Sequence, residues 1–405
     1  MSHSKATPNN GITAVQGFTA TGISAGIKKN GRPDLALIFS QTPCAVAGVF
    51  TKNNCPAASI LFNRTRLRGK QGQAIICNSG NANAATGKRG MDDTKTMAQV
   101  TAQGLRISEK LVFVASTGVI GEPLPIEKIK NAVPILISSL SEQGGHLASK
   151  AIMTTDTFTK EIALTGYVGS KEICIGGMAK GSGMIHPNMA TMLAFLTTDA
   201  RIDPDLLQEA LREVSDRTFN CTTVDGETST NDLIILLANG RAGGNCIRNH
   251  GETYRQFVAL LEGACLRLAK MIVQDGEGAT KFIEVRILRA KSNQSARDIA
   301  FSIAKSSLVK TAFFGQDANW GRIVAAIGNT REKIDLTKLD ILFGKTLLLR
   351  GGIYQGKTAE SQVAAYLKDK ELCLTVDLHA GTGLASVFTS DLSYDYVKIN
   401  AAYRS

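Results

Sequence analysis

Apolar residues recur along the chain with two different periods, and the alternation between them sets the fold class. Leu206, Leu207, Ala210, Leu211 and Val214 share one face of a helix that Asp203 and Pro204 open as cap and first-turn residues. Phe257, Leu260, Leu261, Ala264, Leu268, Met271 and Ile272 repeat at steps of three and four, which predicts a second helix ending at Asp275-Gly276. A period of two follows. Ile283, Val285 and Ile287 alternate with Glu284 and Arg286, so one strand face is buried and the other is wet. Ala296, Ile299, Ala300, Ile303 and Ala304 form another helix face, and Leu372 to Val376 another strand before the glycine turn at 381–383. Interleaved elements of both kinds predict an α/β fold in which helices cover sheets. The 405 residues exceed what one core fills, about 250–300 residues, so two lobes are expected.

Composition narrows the function classes. A hydrophobic fraction of 43%, a charged fraction of 20% and 39 glycines describe a globular chain rather than a disordered or fibrous one. The net charge of +11 is spread over scattered Lys and Arg, with no basic run interleaved with aromatics. It therefore suits an anionic small molecule, or solubility alone, and no nucleic-acid partner is expected. The eight cysteines form no CxxC pair, and no histidine stands near them at zinc-ligand spacing. They read as buried thiols of a reducing compartment, and no metal site is expected. The first residues lack the regions of a signal peptide, and no apolar run reaches about 18 residues, so a cytoplasmic protein without membrane contact is expected. No phosphate-loop or dinucleotide glycine pattern stands between a strand and a helix, so no bound nucleotide cofactor is expected.

The most unusual punctuation lies mid-chain. Gly176-Gly177 and Gly181-Ser182-Gly183 precede a proline-asparagine turn, and Thr191 then opens the apolar run Met192 to Leu196. A strained peptide bond ahead of a threonine can be attacked by that residue's own hydroxyl, giving an N-to-O acyl shift and an ester that water cleaves. The product carries a free α-amine whose reference pKa is about 7.7–8.0, so base and nucleophile sit on one residue. The five histidines offer no triad that would replace it. On its own this segment reads more readily as a threonine entering a buried strand, which β-propensity favours.

Resemblance decides between those readings. The string KGSGMIHPNMATML resembles the signature of the ornithine acetyltransferase family, whose members cleave between the alanine and threonine of that motif, here Ala190 and Thr191. The likeness continues through GFTATGISAGIK, NSGNANAATG, STGVIG, MTTDT, VDGETSTND, DGEGATKFIEV, VKTAFFGQDANWGRI and YVKINAAYRS, in matching order and spacing. It implies an enzyme that moves acetyl from N2-acetyl-L-ornithine to L-glutamate through an ester on Thr191. Acetyl-coenzyme A is an additional donor in bifunctional members, which is the reading preferred here. The implied fold is a layered α/β sandwich of two lobes, self-cleaved into chains 1–190 and 191–405. Two of each chain would form a heterotetramer, with the strand after Thr191 lying between the lobes.

The resemblance also assigns roles by position. Thr117 and Gly118 match the family's oxyanion pair, and substrate contacts fall on Thr154, Lys180, Thr191, Glu277, Asn400 and Ser405. The residue types fit: a lysine pairs with a carboxylate, a glutamate with an ammonium group, and Thr and Asn bond amides. Without the family, STG reads as a strand-ending turn, Lys180 as a solvated lysine and Glu277 as a helix-terminal carboxylate. Asn400 and Ser405 need a docked tail. Departures from the family pattern are Ala318, Glu227, Ser390 and Ser405, none of which removes a proposed catalytic group. Two other functions compete. A self-cleaving amidase or aminopeptidase would hand the acyl group to water, and a non-catalytic scaffold would stay one chain.

Overall fold

The computed structural model describes residues 5–6, 11–186 and 192–402. Thr191 and Ser405, and the bond between Ala190 and Thr191, lie outside the described residues. Among the described residues the chain forms two mixed sheets, of nine and six strands, with helices against them. This is the α/β fold that the two periodicities predict. Asp203 caps the helix Pro204–Arg217 through its side chain, which accepts from the amide of Asp205. The second predicted helix is Glu252–Gln274, and it ends at Asp275.

The large sheet runs in the order Lys5–Ala6, Lys160–Val168, Lys171–Lys180, Leu193–Thr198, Leu233–Ala238, Leu35–Phe50, Gln71–Asn81, Val112–Val119, with Phe18–Ile23 paired to Leu35–Phe50. The long strand Leu35–Phe50 changes register between Phe39 and Cys44. Residues from both halves of the sheet then meet in one core, where Ile38, Ile75 and Phe113 pack with Met178, Phe195 and Ile235. The outer faces carry helices. Pro204–Arg217 and Glu252–Gln274 cover one half through Leu207, Leu211, Phe257 and Leu261, and Gly87–Leu105 and Ile126–Ser138 cover the other through Met97, Ala98, Ile129 and Leu136. Burying each such Leu or Phe contributes about 1.5–3 kcal/mol, which is why these helices hold to the sheet.

The second lobe is the sheet Ile353–Tyr354, Thr346–Arg350, Asp340–Phe343, Glu371–Asp377, Phe282–Ala290, Gly383–Ser390. Its alternating residues Ile283, Val285 and Ile287 pack on Ile299, Ala300 and Ile303 of the helix Asn293–Lys305, as their spacing predicts. The chain then returns to the first lobe as the helix Tyr394–Ala402.

Three expectations are corrected. The strand after Thr191 does not lie between the lobes: Leu193–Thr198 is internal to the large sheet, antiparallel to Lys171–Lys180 and parallel to Leu233–Ala238. Gly176 and Gly177 are not loose punctuation but strand residues in tight packing. A Cβ on Gly176 would overlap the carbonyl of Gly11, and one on Gly177 would overlap the Leu196 side chain. Of the cysteines, three are buried, four are intermediate and Cys55 is exposed, and all eight are free thiols. No helix of the described residues is long and apolar enough to cross a membrane.

Candidate active site

A cleft of about 580 Å³, counted to its open mouth, lies in the first lobe. Thr117, Gly118, Thr154, Lys180, Glu277 and Asn400 all line it. These are the six described positions among those assigned by resemblance, and five separate segments bring them together.

Thr117 and Gly118 stand at the end of the strand Val112–Val119, which was expected to end in a turn before them. Instead the strand continues through them and the ladder slips, so that Asn81 faces both Thr117 and Val119. Gly118 has φ +130°, and a Cβ there would overlap the backbone of Gly80 and Asn81. Only glycine permits this backbone path beside the neighbouring strand. Asn231 secures the same corner. Its amide donates to the carbonyls of Ser116 at 2.8 Å and Ala82 at 2.6 Å.

Lys180 ends the strand Lys171–Lys180 opposite Leu193 and is only 3% exposed, so the solvated reading fails. Its ammonium lies 4.0 Å from Asp156 Oδ2. The other oxygen of Asp156 accepts from Gly181 N at 2.7 Å and from Lys160 Nζ at 2.6 Å. Burial alone would raise the Asp156 pKa, but the ammonium groups of Lys180 and Lys160 outweigh it and hold the carboxyl well below the usual carboxylate range. Thr154 donates its amide to the same aspartate at 2.9 Å. The residue before it, Met153, gives its carbonyl to Lys28 Nζ at 2.7 Å, and burial pulls that lysine down to about 8 against the opposing charge of Asp34.

Glu277 follows the helix Glu252–Gln274 and lies against Gly183, where a Cβ would overlap its carboxyl. Its amide donates to Ser182 O at 2.9 Å. Its carboxylate accepts from Asn400 Nδ2 at 2.9 Å, so the C-terminal helix is docked over the cleft. Ser393, which donates to Gly278 O at 2.5 Å, and Tyr396, whose hydroxyl donates to Asp225 at 3.4 Å, fix it further. A buried cation and a carboxylate on the walls, with amide and hydroxyl groups between, suit a zwitterionic amino acid.

Sequence reasoning missed two aspartates of VDGETSTND. Asp225 accepts from the amides of Met184 at 2.6 Å and Ile185 at 2.9 Å, and Asp232 accepts from Met192 N at 3.1 Å. The chain on either side of residues 187–191 is therefore gripped by a buried or half-buried carboxyl. Burial pushes both pKa values up, that of Asp232 well above the ordinary range. Among the described residues Asp232 Oδ2 has no hydrogen-bond partner. The motif was visible in the sequence, but nothing local revealed which backbone its aspartates bind. None of the four described histidines lines the cleft.

A cleft with a buried lysine and a carboxylate on its walls is built like the site of an enzyme that handles an amino acid. The ArgJ family model matches residues 19–405. The chain is 49% identical over 391 residues to the arginine biosynthesis bifunctional protein ArgJ of Geobacter sulfurreducens, covering 96% of this chain and 100% of that protein. It is 48% identical to the protein of the same name from Symbiobacterium thermophilum, covering 98% of each. A solved structure of ornithine acetyltransferase complexed with ornithine, from Mycobacterium tuberculosis, is 38% identical over 45% of this chain and 98% of that chain, with a TM-score of 0.43. The chain belongs to the ArgJ family, and with it to the acetyltransferases of arginine biosynthesis.

Proposed function

We propose that the chain moves an acetyl group from N2-acetyl-L-ornithine to L-glutamate through an ester on Thr191, after cutting its own backbone before that residue. In the cut, the Thr191 hydroxyl oxygen bonds to the Ala190 carbonyl carbon, the peptide C–N bond breaks, and the nitrogen takes the hydroxyl proton. Water then hydrolyses the ester, leaving the Ala190 carboxylate and the Thr191 amine. That amine accepts the hydroxyl proton when Thr191 attacks the acetyl carbonyl of the donor, and returns it to the departing ornithine nitrogen. Glutamate attacks the ester in the second half-reaction, and acetyl-coenzyme A loads the same ester when it is the donor.

Each half-reaction passes through an oxyanion. Thr117 and Gly118 are the donors in this reading, each worth about 2.7–4 kcal/mol in the transition state. Lys180 takes a substrate carboxylate and Glu277 an ammonium group, with Thr154, Asn400 and Ser405 completing the contacts. The observation that carries the reading is the convergence of the six described positions on one cleft.

Cutting into chains 1–190 and 191–405 leaves the sheet intact, because the two strands it takes from the second segment lie side by side between strands of the first. Leu193–Thr198 pairs with Lys171–Lys180, and Leu233–Ala238 pairs with Leu35–Phe50. The active form in this reading is a cytoplasmic heterotetramer of two such pairs. Purified protein incubated with N-acetylornithine and glutamate tests it, with Thr191→Ala alongside. Transfer, two fragments by mass spectrometry and loss of both in the variant are expected. An intact active chain, or acetyl release that ignores added glutamate, would overturn it.

A further inference from the structure

Lys160 is completely buried, and its ammonium bonds two carboxylates, Asp156 Oδ1 at 2.6 Å and Asp275 Oδ2 at 2.5 Å. An ion triad of this kind is a weak source of stability, because desolvating its charges costs as much as their attraction returns. The second set of bonds explains its presence. Asp156 also holds the amides of Gly181 and Thr154 and faces the Lys180 ammonium. Asp275 also accepts from Thr157 N at 3.0 Å, and its own carbonyl accepts from Ser182 Oγ at 2.5 Å. Ser182 in turn accepts the amide of Glu277 through its carbonyl. Thr154, Lys180 and Glu277 thus hang from three segments that are tied to one another through Asp156 and Asp275, and the Lys160 ammonium bridges those two carboxylates.

We infer that Lys160 is a positioning residue for the substrate clamp: held by Asp156 on one side and Asp275 on the other, it fixes the spacing of Lys180, Thr154 and Glu277 around an amino-acid substrate. This rests on the reading of those three residues as substrate contacts. In that reading Asp156 and Lys160 belong to the segment before the cut and Asp275 to the segment after it. The Lys160–Asp275 pair therefore keeps the two halves of the clamp in register once the backbone between them is broken. Lys160 touches no substrate, so its effect is one of geometry. A displacement of the carboxylate and ammonium partners by a fraction of an ångström weakens binding at both ends of the substrate.

The double substitution Lys160→Met with Asp275→Asn removes both charges of the pair at once and leaves Asp156 facing Lys180. In the full-length protein, KM for N-acetylornithine and for glutamate is expected to rise roughly tenfold or more, with kcat within about threefold of wild type. Leu211→Ala, a core truncation in the helix Pro204–Arg217, serves as the stability control and is expected to leave KM unchanged. Asp275→Asn alone keeps an acceptor for Thr157 and should raise KM roughly threefold, giving the same decision from a milder change. A lowered melting temperature with unchanged KM in both Asp275 variants would overturn the inference, as would an equal rise of KM in Leu211→Ala. Failure of the wild-type protein to transfer acetyl at all would instead overturn the functional reading beneath it.

Discussion

Two of the buried lysines, Lys160 in the first lobe and Lys310 in the second, are held in opposite ways. Lys160, at the cleft, is paired with two carboxylates. Lys310, 3% exposed in the second lobe, bonds only neutral oxygens: Thr389 Oγ1 at 3.1 Å, the carbonyl of Ser390 and Ser390 Oγ at 3.3 Å. Burial lowers its pKa from the ordinary 10.5 to about 8, with Asp391 and Asp225 opposing from a distance. A lysine among neutral acceptors ties a helix to a strand and does little else. One between two carboxylates adds a fixed charge pattern, and here that pattern lies under the residues assigned to the substrate.

The largest expected effect exploits this difference. Lys160→Met alone leaves two buried carboxylates facing each other and should cost about 3–5 kcal/mol. Lys310→Met orphans neutral acceptors only and should cost about 1–3 kcal/mol at neutral pH. Denaturant unfolding of both variants checks the order, and equal losses would remove the contrast between the lobes.

The lysines also mark how far the sequence could be read. Helix and strand positions follow from local periodicity, so Pro204–Arg217, Glu252–Gln274, Phe282–Ala290 and Asn293–Lys305 were legible within a few residues. The cleft was legible only through resemblance, because Thr117, Thr154, Lys180 and Asn400 are ordinary residue types in ordinary local settings. Lys160 carried no signal, and Asp156 and Asp275 were visible only as parts of the strings MTTDT and DGEGATKFIEV, with nothing local to say what they bind. Lys160 and Asp275 are 115 residues apart, and only the strand order of the large sheet and the packing of Glu252–Gln274 upon it join them. The same holds for the corner at Thr117 and Gly118, where a slipped ladder replaces the expected turn because Gly118 passes so close to Gly80 and Asn81.

The neutral setting of Lys310 has a pH signature that sharpens the contrast. Its folded pKa of about 8 lies below the unfolded 10.5, so between those values the unfolded chain binds more protons and stability rises with pH. Below about 8 both states are protonated and the burial penalty is present in full. The stability of wild type relative to Lys310→Met should therefore grow by up to about 1.4 kcal/mol per pH unit across that window. Unfolding curves at pH 7, 8.5 and about 10 measure it, and a difference that does not move with pH would contradict the proposed setting.

Glycines make the comparison again on a smaller scale. Gly183→Ala drives a methyl group into the Glu277 carboxyl, while Gly328, the last residue of the helix Trp320–Gly328 in the second lobe, has nothing within 4 Å of where its Cβ would lie. The first change should raise KM for the amino-acid substrates by roughly tenfold, because Glu277 must swing away from its bond with Asn400.

Gly328→Ala should do the reverse of harm. Its backbone is not in the left-handed region, so alanine adopts it freely and the unfolded chain loses more freedom than the folded one. The expected gain is about 0.4–1 kcal/mol in unfolding free energy with unchanged kinetic constants. Thermal denaturation beside a transfer assay reads both. A change in KM from this distant methyl group would mean that the second lobe is coupled to the cleft, and the division of labour between the two lobes would have to be given up.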